Sequence, residues 1–581
     1  MATKLRLKSQ KYQVKEDFSY SVDVLVNHGI PNLSNVFSYN VPEKLRKLKT
    51  FSLVSVPFRN KNVFGIVLSR RSSTDSSLKS IAKVIYPSAV LTQEQMNLLH
   101  ACMNRWGGFE WDFLPYFIPQ GFTEKTEVVA QRTPIARKVV RPELKIGTNF
   151  FDLIELIEKR IKPAGQTLVV VPNLKILNFL KRHFGSKLTD YGSHLSQKER
   201  LETYLKILAG TPGLIVATRS GIFLPIAIGA EVIVVDDLDF SNYETRYPYW
   251  NVRDVALLNF ENFSINFYAH SPSLELLRLE ELGWIKISVN QKSKSNIFFS
   301  NNRISWQNLV SEGVRKGSVL VVIPERGYVN TIVCVKCRNI HRCACGGRLV
   351  QVSSDPKRYC YKCKSSQNNV PCSICHEHQT LSYKKGIFKV TEELGRQFPG
   401  VKIFNSQISE NLPKSGRMQI VTANYGQLPI SDFETIVALN FEKYGYQGNL
   451  RSSELARKNI FDLLALGAKN LYLDVSQDTY FAQIALRNQV IKAAQEELAE
   501  RRSLNLPPHL RMAKLECDAK FVEVLKEQNF IFEVQFVQGV AIIKFELSNG
   551  NKFIEFLSGV SKVRALKKLK PWKLEIDPLE V

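Results

Sequence analysis

At 581 residues the chain is long enough for three or four separately cored domains, and its 44% apolar and 23% charged composition excludes a disordered protein. Lys and Arg exceed Asp and Glu by 25, with a pI near 9.5, which points to a polyanionic partner, most commonly nucleic acid. No apolar run approaches the roughly 18 residues that a membrane span needs. The opening Met1-Ala-Thr-Lys-Leu-Arg-Leu-Lys8 has no apolar stretch behind its charges, so a cytoplasmic protein with no membrane partner is expected.

Residues 1–17 read as a basic tail, with Lys4, Arg6, Lys8, Lys11 and Lys15 and no apolar period. Short β-type runs follow at Val22–Val26, Val36–Tyr39, Leu53–Phe58 and Val63–Leu68, punctuated by Pro, Gly and Asn, and predict a small β-rich domain over 18–116. Thr92 stands three residues before Gln95, as a capping box at a helix start requires. Residues 117–145, with Pro119, Gly121, Pro134 and Pro142, read as a linker. In the next block Phe150–Ile161 and Leu174–Phe184 read as helices, and Gln166–Val171, Leu214–Ala217 and Val232–Val235 as buried strands. Such alternation predicts a parallel sheet, in a lobe over 146–295. A second α/β lobe over 296–333 and 376–503 is expected from strands at Ser318–Ile323, Val401–Phe404, Gln419–Thr422, Thr435–Leu439 and Leu471–Asp474, followed by one long helix, Tyr480–Arg502. Past Pro507-Pro508, a small α+β domain over 504–581 holds a strand at Val540–Phe545 and the basic run Arg564–Lys573. The fold class is α/β multidomain.

Eight of the ten cysteines lie between 334 and 375, in four close pairs: Cys334-x-x-Cys337, Cys343-x-Cys345, Cys360-x-x-Cys363 and Cys372-x-x-Cys375. Two thiolates two or three residues apart turn inward on one tight knuckle, and two knuckles complete a tetrahedral sulfur shell that suits Zn²⁺. Four knuckles predict two Zn²⁺ per chain in an insertion interrupting the second lobe. Arg338, Arg342, Lys357, Arg358, Lys362 and Lys364 surround the sulfurs with positive charge, which favours the metal-binding thiolate form. Four disulfides are the alternative; the cytoplasmic character of the rest favours zinc. Cys102 and Cys517 stand alone and read as buried small apolar residues.

Colinear motifs link these parts. They are Val36-Phe-Ser-Tyr-Asn-Val-Pro-Glu43, Val56-Pro-Phe58 and Gly65-Ile-Val67 in the first domain; Ala217-Thr-Arg-Ser-Gly-Ile-Phe-Leu-Pro225, Arg253-Asp-Val-Ala256 and Ser271-Pro-Ser-Leu-Glu275 in the first lobe; Arg326-Gly-Tyr328 before the first knuckle; and Leu498–Pro508 and Leu574–Pro578 towards the end. Over 20–581 the set resembles the replication-restart primosomal protein N′ (PriA) family of superfamily 2 helicases. The resemblance implies two RecA-like lobes, a 3′ DNA-end-binding first domain, and zinc held by Cys334, Cys337, Cys372 and Cys375 in one site and by Cys343, Cys345, Cys360 and Cys363 in the other. It also implies forked DNA as ligand, and a helicase loader, the replicative helicase and single-strand-binding protein as partners of a monomer. The linker is too short for the winged-helix domain that some relatives carry.

The parts that turn over ATP in that family are missing. The chain has Lys145-Ile-Gly-Thr-Asn-Phe-Phe-Asp152 where a phosphate-cradling Gly-Lys-Thr is expected, and Asp236-Asp-Leu-Asp239 in place of Asp-Glu-Glu-His. Leu466-Gly-Ala-Lys-Asn470 replaces the run that carries the finger arginines. Asp236 and Asp237 are thus a degenerate acidic box, and ATP with Mg²⁺ is not expected to be hydrolysed. The function expected is a non-catalytic restart scaffold on branched DNA. Phe37 and Tyr39 are candidates to stack on an end base, although core packing competes for them, and Ser38 replaces the acid the family has between them. Lys567, Lys568, Lys570 and Lys573 are candidates to grip phosphate, against the alternative of a solvated face. Two other readings stay open: an ATPase that uses another lysine, such as Lys145, and an RNA-binding or structural zinc protein.

Overall fold

Runs of Val, Ile and Leu bounded by amphipathic helices build two parallel sheets, and three antiparallel sheets are set around them. The computed structural model describes residues 18–579 apart from 31, 32, 34, 72–74, 76, 129–138, 291–294, 301–304, 368, 369, 409–417 and 443–449. The basic tail expected at 1–17 lies outside the described residues.

The first sheet is antiparallel, in the order Val36–Pro42, Phe18–Val26, Lys61–Arg71, Ser52–Phe58, Lys83–Ala89. Ser52–Phe58 alternates buried and half-buried positions, the period-2 signature of a sheet with one packed face. The fifth strand escapes sequence reading because Pro87 and Ser88 interrupt its apolar run. Helix Gln93–Trp106 opens on the expected capping box: Thr92 Oγ1 accepts from the Gln95 amide, and Gln95 Oε1 accepts from that of Thr92. Gln95 Nε2 also donates to the Phe223 carbonyl at 2.7 Å, which ties this domain to the first lobe.

Seven parallel strands form the first lobe, in the order Lys286–Val289, Glu143–Ile146, Ser264–Ala269, Glu231–Val235, Gln166–Val170, Gly213–Ala217, Leu188–Tyr191. The stretch read as a linker therefore ends inside this sheet, since Glu143–Ile146 already pairs with Ser264–Ala269. Four residues are too few for periodicity to register. Six parallel strands form the second lobe: Asn296–Phe299, Asn470–Leu473, Thr435–Ala438, Ser318–Ile323, Gln419–Asn424, Lys402–Asn405. The central strands of both sheets are buried on both faces, as near-continuous apolar strands require; Val169 and Val216 face one side of the first sheet, Leu168 and Ile215 the other. The long helix expected at 480–502 is two helices, Tyr480–Arg487 and Val490–Ser503. Asn488 ends the first in the left-handed conformation, φ 50°, which Asn tolerates better than most side chains.

The cysteine segment leaves the second lobe after Ile323 and returns at helix Ile387–Gln397. Its antiparallel sheet, ordered Arg358–Cys360, Leu349–Gln351, Val329–Cys334, Thr380–Lys385, reaches beyond the cysteines on both sides, because Val329–Cys334 pairs with Thr380–Lys385. A last antiparallel sheet, Glu533–Val537, Val540–Phe545, Arg511–Glu516, Leu574–Ile576, packs with helices Ala519–Lys526 and Gly550–Leu566. Cys102 and Cys517 are buried. Among the described residues no helix is long and apolar enough to cross a membrane.

Candidate functional site

The eight paired cysteines converge on two points. Cys334, Cys337, Cys372 and Cys375 form one set, and Cys343, Cys345, Cys360 and Cys363 the other, with all four sulfurs of each set within 4.8 Å of one another. Neighbouring Sγ atoms are 3.4 Å apart for Cys334 and Cys375, Cys337 and Cys372, and Cys345 and Cys360, and 3.8 Å for Cys343 and Cys363. A tetrahedron with Zn–S near 2.3 Å has edges of about 3.8 Å, so each set has the size of a zinc cage.

All four knuckles close alike. The residue after the second cysteine is left-handed in each: Arg338 (φ 60°), Gly346 (φ 80°), Lys364 (φ 60°) and His376 (φ 57°). The amides of Cys334, Cys360 and Cys372 donate to the carbonyls of Asn339, Ser365 and Glu377, and that of Cys343 donates to Gly347. The shorter Cys343-x-Cys345 knuckle keeps this closure by bonding Gly346 N–H to Cys343, one residue nearer than its counterparts reach. Amides also poise the thiols. Those of Cys375 and Ile374 hold Cys372 down to about 6, and the Ser365 hydroxyl and amide hold Cys363 down to about 6; Cys334 is lowered too, so each set has at least one thiol that ionises early.

Between the lobes, side chains occupy the loop where phosphate would bind, which borders a cavity of about 520 Å³ lined by Gly147, Thr148, His270 and Phe461, among others. The loop Gly147–Phe150 follows strand Glu143–Ile146 and leads into helix Phe151–Arg160. Asn149 Oδ1 accepts from the amides of Phe151 and Asp152 at 2.9 and 3.2 Å, and Asp152 Oδ2 accepts from the Thr148 amide at 2.7 Å. The amides that could cradle phosphate are thus in use, and a carboxylate sits among them. Tyr268 lies across the loop: its hydroxyl donates to the Asn149 carbonyl at 2.5 Å, and a Cβ on Gly147 would run into it. Lys145 turns to the flank of the helix, 3.6 Å from Glu155 Oε2.

The acidic box meets a cation from the other lobe. Lys458, on helix Ser452–Ala465 of the second lobe, puts Nζ 2.8 Å from Asp236 Oδ2 and 2.6 Å from Asp462 Oδ2, and its side chain is only 5% exposed. His270 Nδ1 lies 2.9 Å from Asp462 Oδ1. Burial opposes the Lys458 ammonium, but Asp236 and Asp462 outweigh it and hold the lysine charged well above its ordinary range. With two acids on one ammonium the pair divides. Burial, with Asp462 and Asp239 adding to it, pushes Asp236 up. Asp462, although buried, is held down to about 2 by Lys458 and His270.

Asp237 belongs to a second network. Burial raises it to about 6 against the pull of Arg253, whose Nη1 is 3.4 Å away. Arg253 reaches Glu275 at 3.1 Å, and Arg451 of the second lobe reaches the same Glu275 at 2.5 Å and Glu454 at 3.1 Å. Burial works against Glu275, yet Arg253 and Arg451 hold it down to about 2. Arg457 adds bonds to Ser271 Oγ and, at 3.0 Å, to the Pro272 carbonyl. Charged contacts thus join the lobes around the acidic box from both sides. Sequence reading found Asp236, Asp237, Arg253 and Glu275 but missed Tyr268, His270, Arg451, Lys458 and Asp462. The only trace in the sequence is the i,i+4 spacing of Lys458 and Asp462, which on a solvated helix face looks the same.

In the first domain the two aromatic candidates part. Tyr39 is core, 4% exposed, its hydroxyl 3.3 Å from the Pro57 carbonyl. Phe37 is half-buried on the edge strand and joins His28 and Phe58 in a cluster, with ring centroids 5.7 and 5.4 Å from its own; Arg59 lies 5.8 Å from the Phe58 ring. Ser38, on the other face, donates to Asp23 Oδ1 at 2.7 Å, so a carboxylate does stand beside it, supplied by the neighbouring strand. At the far end, Lys567, Lys568, Lys570 and Lys573 are exposed in the segment that follows helix Gly550–Leu566. Lys573 lies 3.6 Å from Glu516, and Arg564 lies over Trp572 with its guanidinium 3.8 Å from the ring centroid.

Residues 23–119 match a family model described as the 3′DNA-binding domain (3′BD) of PriA. Along 571 residues the chain is 27% identical to "Probable replication restart protein PriA" of Mycobacterium tuberculosis (strain CDC 1551 / Oshkosh), which covers 86% of this chain and 87% of that relative. Replication restart protein PriA of Helicobacter pylori (strain ATCC 700392 / 26695) is 25% identical over 386 residues, 61% of each chain. Among solved structures, that of RecG bound to a three-way DNA junction has a TM-score of 0.32 at 11% identity, over 71% of this chain and 50% of that one. Along most of its length, and through the matched first domain, this chain is similar to the replication restart proteins PriA.

Proposed function

We propose that this protein is a replication-restart factor that binds forked or branched DNA and serves as a scaffold for reloading the replication machinery, without ATP-driven unwinding. In this reading residues 18–116 hold a 3′ DNA end, with Phe37, Phe58 and His28 as the surface beside it. Residues 146–295 are one RecA-like lobe in degenerate form, 296–333 and 376–503 the other, and 504–581 carry the exposed lysines towards phosphate. Forked DNA, a helicase loader, the replicative helicase and single-strand-binding protein are the partners that this likeness suggests.

The observation that carries the reading is Lys458 between Asp236 and Asp462. An ammonium from the second lobe fills the seat where an acidic box would hold Mg²⁺, while Tyr268 and Asp152 fill the phosphate loop. Productive closure on a nucleotide requires phosphate and metal to draw the lobes together. Here side-chain charge spans the lobes as well: Lys458 and Arg451 reach Asp236 and Glu275 across them. A frame closed in this way presents one fixed surface to DNA rather than cycling. Zn²⁺ in the two four-cysteine sets would supply the cross-links that hold the insertion folded. The cysteines position themselves for it through the four left-handed turns and the early-ionising Cys363 and Cys372.

ATP turnover measured with and without forked DNA, alongside fork binding at several salt concentrations, tests the proposal. Expected are no stimulated turnover and an affinity for the fork that falls steeply with salt. Turnover that Asp236→Asn abolishes would reinstate an ATPase, and preference for structured RNA over forked DNA would make this an RNA-binding protein.

A further inference from the structure

The cysteine module carries a groove that neither sulfur set uses. It has a volume of about 400 Å³ and is lined by, among others, Ile340, Arg342, Arg348, Tyr361, Lys362 and Tyr383. Gly347 also lines it, and a side chain there would meet Cys360 Sγ and Lys362, so the knuckle requires glycine at this position. Tyr361 and Tyr383 are 56% and 53% exposed, large rings left on the surface of a small module. Two cations attend the Tyr361 ring, the Arg348 guanidinium 4.4 Å and the Lys364 ammonium 4.7 Å from its centroid. The ring rides on a fixed support, since Tyr361 N–H donates to the Arg348 carbonyl at 3.0 Å and Leu349 pairs with Cys360. Between Cys334 and Cys375 there are eight Lys and Arg against a single acid, Asp355, whose ion pair is with Lys357 outside the groove.

We infer that this groove is a binding site for one or two unpaired nucleotides of single-stranded DNA. A base stacks on Tyr361 within the groove, and Arg348, Lys362 and Lys364 take the flanking phosphates. Aromatic rings interleaved with cations on a surface with a single acid suit a ligand with flat bases on an anionic backbone. The choice of DNA rests on the function proposed above.

The test uses the full chain with its metal intact. Anisotropy titrations compare a dT20 strand and a forked duplex on the native protein, Tyr361→Ala and Tyr361→Phe, with metal content measured on each. Cross-linking to 5-iododeoxyuridine maps the contact. Tyr361→Ala is expected to weaken dT20 binding on the order of 10-fold, Tyr361→Phe to stay within about twofold, and the cross-link to fall on Tyr361 or Tyr383. Unchanged dT20 affinity in Tyr361→Ala, or a cross-link elsewhere, overturns the site while fork binding still stands. Binding of rU20 in preference to dT20 overturns the DNA assignment. Loss of both fork and dT20 binding in the native protein overturns the proposed function instead. If Tyr361→Ala loses metal, the Tyr361→Phe affinity and the cross-link position decide.

Discussion

Lys458→Met removes the cation between the lobes and leaves its buried acids facing each other. At an effective dielectric of 20, a charge pair at the 2.6 Å separation of Lys458 and Asp462, the acid held ionised, is worth on the order of 6 kcal/mol before desolvation is subtracted. Breaking a buried pair from one side costs about 3–5 kcal/mol, because the surviving carboxylate stays buried without its partner. Spread over lobes of this size, that is a fall in Tm on the order of 10 °C. The double variant Lys458→Met/Asp236→Asn should recover part of the loss, since an amide at position 236 carries no charge to strand. Mg²⁺ should also raise the Tm of Lys458→Met, by entering between Asp236 and Asp462, and leave the native protein unmoved. Differential scanning calorimetry of the four combinations, each with and without Mg²⁺, reads these effects. A change in Tm no larger than that of an exposed Lys→Met control would refute the latch.

Other outcomes follow from the same geometry. Gly147→Ala should destabilise by about 1–3 kcal/mol through its clash with Tyr268, and Tyr268→Ala in the same chain should restore part of that in denaturant titrations. Chelation should release about two equivalents of metal per chain, seen with a colorimetric indicator, and Cys345→Ser should lower that to about one without disturbing the Cys334 set. Glu275 and Asp462 are held at about 2, below their values in an unfolded chain. Their contribution is therefore complete above pH of about 4.5 and is lost as pH falls towards 2, so Tm should drop through that window and be flat above it for these two groups. Phe37→Ala should weaken binding to a fork with a free 3′ end while Tm changes modestly, whereas Tyr39→Ala should cost about 3–5 kcal/mol of stability, since Tyr39 is core.

The parallel sheets were legible because a strand buried on both faces must be a run of Val, Ile and Leu, as at Ser318–Ile323 and Glu231–Val235. The cysteine knuckles were legible because metal chemistry demands their spacing. Short strands such as Glu143–Ile146 and Leu188–Tyr191 were not, since half of their residues are polar and only the neighbouring strands decide their fate. Phe37 and Tyr39, two apart on one strand face, looked alike in sequence; the place of Phe37 near the half-buried start of the strand and the enclosure of Tyr39 by Pro57 and the core separate them. Absent motifs could be listed from the chain, but what replaced them could not, because Lys458 is 222 positions from Asp236 and no local pattern couples them.

On the proposed reading, the contacts across the lobes bear on why the frame should persist without the chemistry. A buried ion pair is poor value as stability alone, since well-packed apolar groups often do as well or better. What charges supply is a defined geometry. Lys458 must meet Asp236, Arg451 must meet Glu275, and Arg457 must meet Ser271 and Pro272, conditions that one mutual placement of the lobes satisfies together. An apolar interface would tolerate sliding; three cations from one helix region set against fixed acceptors do not. Substituting the whole set with apolar residues should therefore leave Tm close to native yet weaken fork binding, and unchanged fork affinity in such a variant would show that DNA does not read the placement of the lobes.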